Sequence, residues 1–207
     1  AGCWVKVETR GSGGAKNVLT DKEIAAKQVG VGAVIFHDLF NQRIKNVEFS
    51  WDEVLSFDGS TGPYVQYTCA RAKSVLRKGA APTFDTASSV DVATIVSNLS
   101  DIDFTVLTDD YSYSLIKTLA GYNEAIKAAA ERYEPSLIAR YLVSVASAFN
   151  KFYHECSILH ASEHEKEARL FLTDLVQKVL TDGCGLLGME CNKNAYVVKS
   201  DIGIFKK

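Results

Sequence analysis

Between Pro135 and His154 the apolar side chains recur with a helical period. Leu137, Ile138, Tyr141, Leu142, Val145, Ala146, Phe149, Phe152 and Tyr153 follow one another at steps of three and four. That spacing lines them up on one stripe of an α-helix, whereas a strand would scatter them over both faces. A helix with so wide an apolar stripe is stable only when the stripe is covered, so this segment must pack against other helices.

The rest of the chain supplies those helices. Residues 163–180 set Leu170, Phe171, Leu175, Val176 and Val179 against a charged outer face, and Gly183, Gly185 and Gly188 follow as a stop. Thr108-Asp-Asp110 reads as a cap for one helix through Tyr113, Leu115, Ile116, Leu119 and Tyr122 to about Arg132. Nearer the start, Thr20 and Glu23 form a capping box for a helix to about Leu39. That helix is apolar nearly all round, which predicts central burial. Gly30 and Gly32 weaken it by ~1 kcal/mol each, so close approach of another backbone is expected there. Ser50 and Glu53 form a second box, opening a short helix through Val54, Leu55 and Phe57 after an irregular stretch at 41–49. Residues 83–103 are rich in Ser, Thr and Asp and read as a loop with a helical piece over 90–99.

The two ends differ in pattern from this helical middle. Residues 4–9 and 196–205 alternate as strands do, so the termini either pair with each other or stand apart. Gly11-Ser-Gly-Gly14 reads as a flexible joint, engineered or trimmed. It lacks the Lys-Ser/Thr ending and the leading buried strand of a phosphate loop. The expected fold is mainly α, with an extended segment and linker at 1–19, a helical domain at 20–190 and a strand-like tail at 191–207.

Residues 61–78 carry the candidate chemistry. Gly62-Pro63 fixes the entry to a helix, because proline suits a first helical position. Tyr64, Tyr67 and Arg71 stand at i, i+3 and i+7 and share a face. Lys73, Arg77 and Lys78 add positive charge. Aromatic rings followed by cations suit an RNA backbone with unstacked bases. The same tyrosines also suit a core helix with a solvated basic end.

Composition narrows the classes. The net charge is -2, so any RNA contact must use a local patch and not the overall field. No apolar run approaches the ~20 residues that span a bilayer, and no basic-then-apolar signal opens the chain, which makes a cytoplasmic protein the expectation. The five cysteines form no CxxC pair and read as reduced thiols. His160 and His164 have i, i+4 spacing near Glu163 and Glu167, enough for adventitious zinc and no more. His37-Asp38 and the His154, Cys156 pair point apart on a helix, so no catalytic or metal-binding residue is assigned.

Ala26-Lys-Gln-Val-Gly-Val-Gly-Ala-Val-Ile-Phe-His-Asp-Leu39, the stretch from Asn46 to Lys78, and the stretch from Glu134 to His154 followed by the terminal helix to Leu187-Gly-Met189 occur in an order that resembles the C-terminal part of arginyl-tRNA synthetase, a class I enzyme. The resemblance covers about residues 20–190. It implies a helical bundle of the anticodon-binding type, with tRNA for arginine as partner. It also implies that Tyr64, Gln66, Tyr67 and Arg71 lie near the tRNA, and that Tyr141, Asn150 and Tyr153 belong to the helix packed beside them. Tyr141 falls in the apolar stripe and is expected in the core. The resemblance further implies an enzyme that uses ATP and magnesium on a separate catalytic domain. The His-x-Gly-His-type and Lys-Met-Ser-Lys-Ser-type motifs of that domain are absent here, so this chain alone is expected to bind no cofactor and to be inactive. Cys69 stands where the family usually has His, and Glu190-Cys-Asn-Lys-Asn194 with a long tail replaces the family's usual ending. A truncated or re-engineered helical module that binds a protein is the alternative.

Overall fold

A computed structural model of the chain describes residues 6–7, 15–79, 102–191 and 202–203, with side chains over 24–79 and 102–191. Seven α-helices stand among the described residues: α1 (Ala15–Phe40), α2 (Trp51–Val54), α3 (Gly62–Gly79), α4 (Asp110–Ala120), α5 (Tyr122–Arg132), α6 (Ser136–Glu155) and α7 (Glu163–Leu186). A 3-10 turn at Phe104–Val106 precedes α4. The two-residue strands β1 (Lys6–Val7) and β2 (Ile202–Gly203) pair antiparallel, Lys6 opposite Gly203 and Val7 opposite Ile202. The termini therefore meet. The polar segment at 80–101, with its expected helical piece, and the rest of the tail lie outside the described residues.

The stripe read from residues 137–153 organises the interior. Leu142, Val145, Phe149 and Phe152 of α6 are fully buried against Val65, Cys69 and Ala72 of α3 and Leu172, Val176 and Leu180 of α7. α1 lies across α3 and α6, and α4 and α5 close the other side of α6. No described helix is long and apolar enough to cross a membrane.

Gly32 and Gly62 set the α1–α3 approach. A Cβ on Gly62 would stand 2.8 Å from both the Gly32 carbonyl oxygen and the Phe36 Cβ. A Cβ on Gly32 would meet the Gln66 amide. The close approach expected in α1 is thus made at Gly32, while Gly30 faces open space.

Several boundaries differ from those read in the sequence. α1 begins at Ala15, so Thr20 lies inside the helix and not at its start; residues 15–19 hold no Gly or Pro to stop the helix extending back. α1 is also not buried all round. Ala25, Val29, Ala33 and Phe36 face inward, while Ile24, Val31 and Val34 are exposed. α2 is a single turn that ends before Phe57, and the Ser50 side chain makes no cap. The helix expected over 108–132 is two helices broken at Gly121. At the break the Tyr141 hydroxyl donates to the Thr118 carbonyl at 2.8 Å and the Leu119 carbonyl at 3.2 Å. It supplies a donor to helix-end carbonyls that a continuous helix would satisfy by itself. α7 passes through Gly183, because the Leu142 methyls occupy the place where a Cβ would stand. It ends at Leu186 with Leu187 as its cap, before Gly188 at φ +74, a left-handed position that suits glycine.

Asp109 caps α4 as its position beside Thr108 predicts. Its carboxylate accepts from the Ser112 backbone N–H and hydroxyl, both at 2.7 Å, and from the Cys156 thiol at 3.2 Å. Burial raises the pKa of this carboxyl, but the Ser112 hydrogen bonds, the Cys156 contact and Arg169 outweigh it and hold the group below its usual range. A depressed carboxyl pKa stabilises the fold above the unfolded value and ceases to do so as pH falls through the folded one. We expect Asp109→Ala to cost ~1 kcal/mol near neutral pH. The gap from wild type should narrow below about pH 4, where the free carboxyl takes up its proton. Urea midpoints measured at pH 7 and pH 3.5 check this; a gap of equal size at both would contradict it.

Candidate nucleic-acid interface

Where α3 crosses α6, five of the predicted residues meet. One edge of the Arg71 guanidinium donates to Asn150 Oδ1 at 2.6 Å and to the Tyr67 hydroxyl at 3.1 Å. The guanidinium lies between two rings, 4.7 Å from the Tyr67 centroid and 5.1 Å from that of Tyr153. Both distances fall within cation–π range. Asn150 is held in turn. Its amide donates to the Tyr64 hydroxyl at 3.0 Å and to Thr68 Oγ1 at 3.1 Å, and the Thr68 hydroxyl donates back to the Tyr64 carbonyl at 2.9 Å.

Helix periodicity explains the convergence. Tyr64, Tyr67, Thr68 and Arg71 lie at steps of three and four on α3, and Asn150 and Tyr153 are one turn apart on α6. Thr68 is fully buried and escaped the sequence reading; its place four residues after Tyr64 was the available signal. The cluster sits at the surface. Tyr153 is 38% exposed, and Arg71 and Tyr67 are half-buried. A guanidinium carries five N–H donors, and the two bonds described leave donors to offer. The result is a flat, pre-oriented cation flanked by aromatic faces, an arrangement suited to a phosphate or to an unstacked base.

The remaining predicted residues stand elsewhere. Gln66, roughly 200° round the helix from Tyr64, is 5% exposed and points inward. Its amide donates to the Gln28 carbonyl at 3.0 Å and the Glu190 carbonyl at 2.9 Å, which ties α3 to α1 and to the segment after α7. It is not part of the surface cluster, because the side of α3 it occupies is covered. Lys73 lies on the side of Cys69 and Cys191, whose thiols are held well above their ordinary range by hydrogen bonds to neighbouring cysteines and by burial, with the Lys73 charge opposing only in part. Lys78 is exposed and Arg77 half-buried at the far end of α3. α3 holds Arg71, Lys73, Arg77 and Lys78 and no Asp or Glu, so its field is positive although the whole chain is not. Tyr141, expected in the core, is half-buried against it, and burial pushes its pKa up to about 12.

Cys69 is fully buried, with its sulfur 3.4 Å from the Thr181 hydroxyl, and takes no part in the cluster. Cys156 is buried against Asp109, which with burial pushes its thiol up to about 11, while His154 is exposed. The four described cysteines are free. Among the described residues no group of three or more His, Cys, Asp or Glu could hold a metal ion.

Comparison with known proteins agrees with this architecture. Residues 65–194 match the family described as DALR anticodon binding domain. The arginine–tRNA ligase of Halothermothrix orenii is 45% identical over 172 residues, 83% of this chain and 28% of that ligase. Arginine–tRNA ligase 1 of Bacillus cereus is 48% identical over 172 residues and 27% of its length. Among solved structures, the arginyl-tRNA synthetase of Thermus thermophilus superposes with a TM-score of 0.69 at 33% identity, covering 84% of this chain and 28% of that one. The chain thus spans little more than a quarter of the length of the relatives it matches. It belongs to the DALR anticodon binding domain family, in its arginyl-tRNA synthetase form.

Proposed function

We propose that this chain binds the anticodon arm of an arginine tRNA in the cytoplasm and presents it as part of an arginine–tRNA ligase. The observation that carries this reading is the Arg71 guanidinium held between the Tyr67 and Tyr153 rings and tethered to Asn150. Anticodon-loop bases are unstacked and can lie on an aromatic face, and the neighbouring phosphates favour a fixed cation. Lys78, seven residues on from Arg71 and so on the same face of α3, offers a further phosphate contact. The whole ligase would join arginine to its tRNA through an arginyl-adenylate, using ATP and magnesium on its catalytic domain. This chain alone would support no ATP–pyrophosphate exchange.

The test is a binding titration with arginine tRNA and with the same tRNA altered in its anticodon. The native tRNA should bind more tightly, and its affinity should fall steeply with salt, because phosphate contacts release counterions. Equal affinity for the two tRNAs, or binding indifferent to salt, would refute anticodon reading.

A further inference from the structure

Three of the buried thiols gather at one place. Cys69 of α3, Cys184 of α7 and Cys191 just beyond α7 belong to the same core cluster. The Cys69 sulfur stands 3.4 Å from the Thr181 hydroxyl. The Cys191 thiol donates to the neighbouring Leu180 carbonyl at 3.7 Å. The two sulfurs therefore rest on consecutive residues of α7, and Cys184 follows one turn on. Cys191 is in hydrogen-bonding contact with both of the others. Cys156, the remaining described cysteine, is committed to Asp109 instead.

The backbone that carries Cys191 is held from three helices. Gln66, three residues before Cys69 on α3, donates to the Glu190 carbonyl at 2.9 Å. Gln28 of α1 donates to the Glu190 carboxylate at 2.7 Å. The Met189 N–H donates to the Cys184 carbonyl of α7 at 2.9 Å. A disulfide needs its two cysteines brought close beforehand, and these bonds do that for Cys191 and Cys69. Cys184 and Cys191 lie in one short stretch whose turn is already set. Cys69 comes from a helix far earlier in the chain, and a cross-link that closes a long loop restricts the unfolded chain most.

Access differs among the three. Cys69 and Cys184 are fully buried, whereas Cys191 keeps 8% of its surface exposed. An oxidant that reaches Cys191 through so narrow an opening must be small, and hydrogen peroxide is. We propose that Cys191 and Cys69 form a peroxide-responsive pair that closes into a disulfide and staples the segment after α7 to the helix bearing the Arg71 cluster. The Cys191 thiolate attacks one peroxide oxygen and the O–O bond breaks. Cys191 becomes a sulfenic acid, and the departing hydroxide leaves as water with the proton that the thiol gave up. The Cys69 sulfur then attacks the Cys191 sulfur, the S–O bond breaks, and a second water leaves with the Cys69 proton. Two thiols lose two electrons and the peroxide gains them. Contact between the thiols and burial keep both cysteines protonated, so the pair answers to sustained peroxide and not to a brief pulse. An added dithiol reverses the bond by exchange.

The experiment incubates the reduced 207-residue chain with excess hydrogen peroxide, blocks the remaining thiols with iodoacetamide and maps the peptides without reduction. A peptide pair joined through Cys69 and Cys191 is expected, and dithiothreitol should separate it. The oxidised chain should melt about 5–10 °C above the reduced one. Cys191→Ser should abolish both the bridge and the shift, and Cys184→Ala should leave both. The wild-type peptide map decides the question even where a variant folds poorly. Alkylation of both Cys69 and Cys191 after treatment would overturn the inference. So would a bridge through Cys184 or Cys3, or a Cys191 carried on to sulfinic acid while Cys69 stays alkylated.

Discussion

Arg71→Ala should weaken binding of arginine tRNA by about a hundredfold, or ~2.7 kcal/mol. Three physical losses add in the same direction. The substitution removes the cation nearest the proposed anticodon contact, the donors that would pair with a phosphate or a base edge, and the partner that orients the Tyr67 and Tyr153 rings. It also leaves Asn150 Oδ1 without the donor it has now, and an unmatched polar group at a half-buried site carries its own cost. Arg71→Lys should recover little. An ammonium keeps the charge but cannot bond Asn150 and Tyr67 along one planar edge while its face lies against two rings. The dependence of affinity on salt should lose about one unit of slope if Arg71 meets a phosphate. Asn150→Ala should cause a smaller loss, because it frees Arg71 to move without removing it. A less than twofold change for Arg71→Ala, with the fold shown intact by its melting curve, would remove the cluster from the interface.

Helical period explains why the cluster could be read before the fold was known. Tyr64, Tyr67 and Arg71 share a face wherever α3 is helical, and so do Asn150 and Tyr153 on α6. The sequence does not show that the two faces meet. That depends on the Val65, Cys69 and Phe149 packing beneath them. The same geometry sets Gln66 apart from the cluster, since two residues from Tyr64 is another side of the helix. The break at Gly121 was less accessible, because the hydroxyl that stabilises it comes from Tyr141, twenty residues on. Gly183 looked like a stop because glycine weakens helices. In the fold Leu142 fills the space over it, and packing overrides propensity. The uncovered face of α1 shows the opposite limit. A segment apolar all round reads as buried, and here Ile24, Val31 and Val34 on its outer side stay exposed.

Phe149→Ala should destabilise the chain by ~3–5 kcal/mol, the usual cost of emptying a buried phenylalanine site. Phe149 is fully buried in α6 and touches the core from α3 and α7. Its ring lies 6.3 Å from that of Phe152 and 6.2 Å from that of Tyr153. Few replacements could close the gap, because the flanking α6 residues Val145 and Phe152 are themselves fully buried in the same core. Total stability for a domain of this size is ~5–15 kcal/mol, so the variant should be near its unfolding midpoint at modest temperature. Phe149→Leu keeps most of the volume and should lose about 1 kcal/mol. The two effects also differ in reach. Phe149 supports Tyr153 from below, so its removal should loosen one ring of the Arg71 sandwich. tRNA affinity should therefore fall for Phe149→Ala even under conditions where the variant is mostly folded. Urea unfolding with an unchanged slope would assign the loss to packing. A midpoint within 0.5 kcal/mol of wild type would mean that α6 does not hold the core together, and the arrangement of Asn150 and Tyr153 would then need another support.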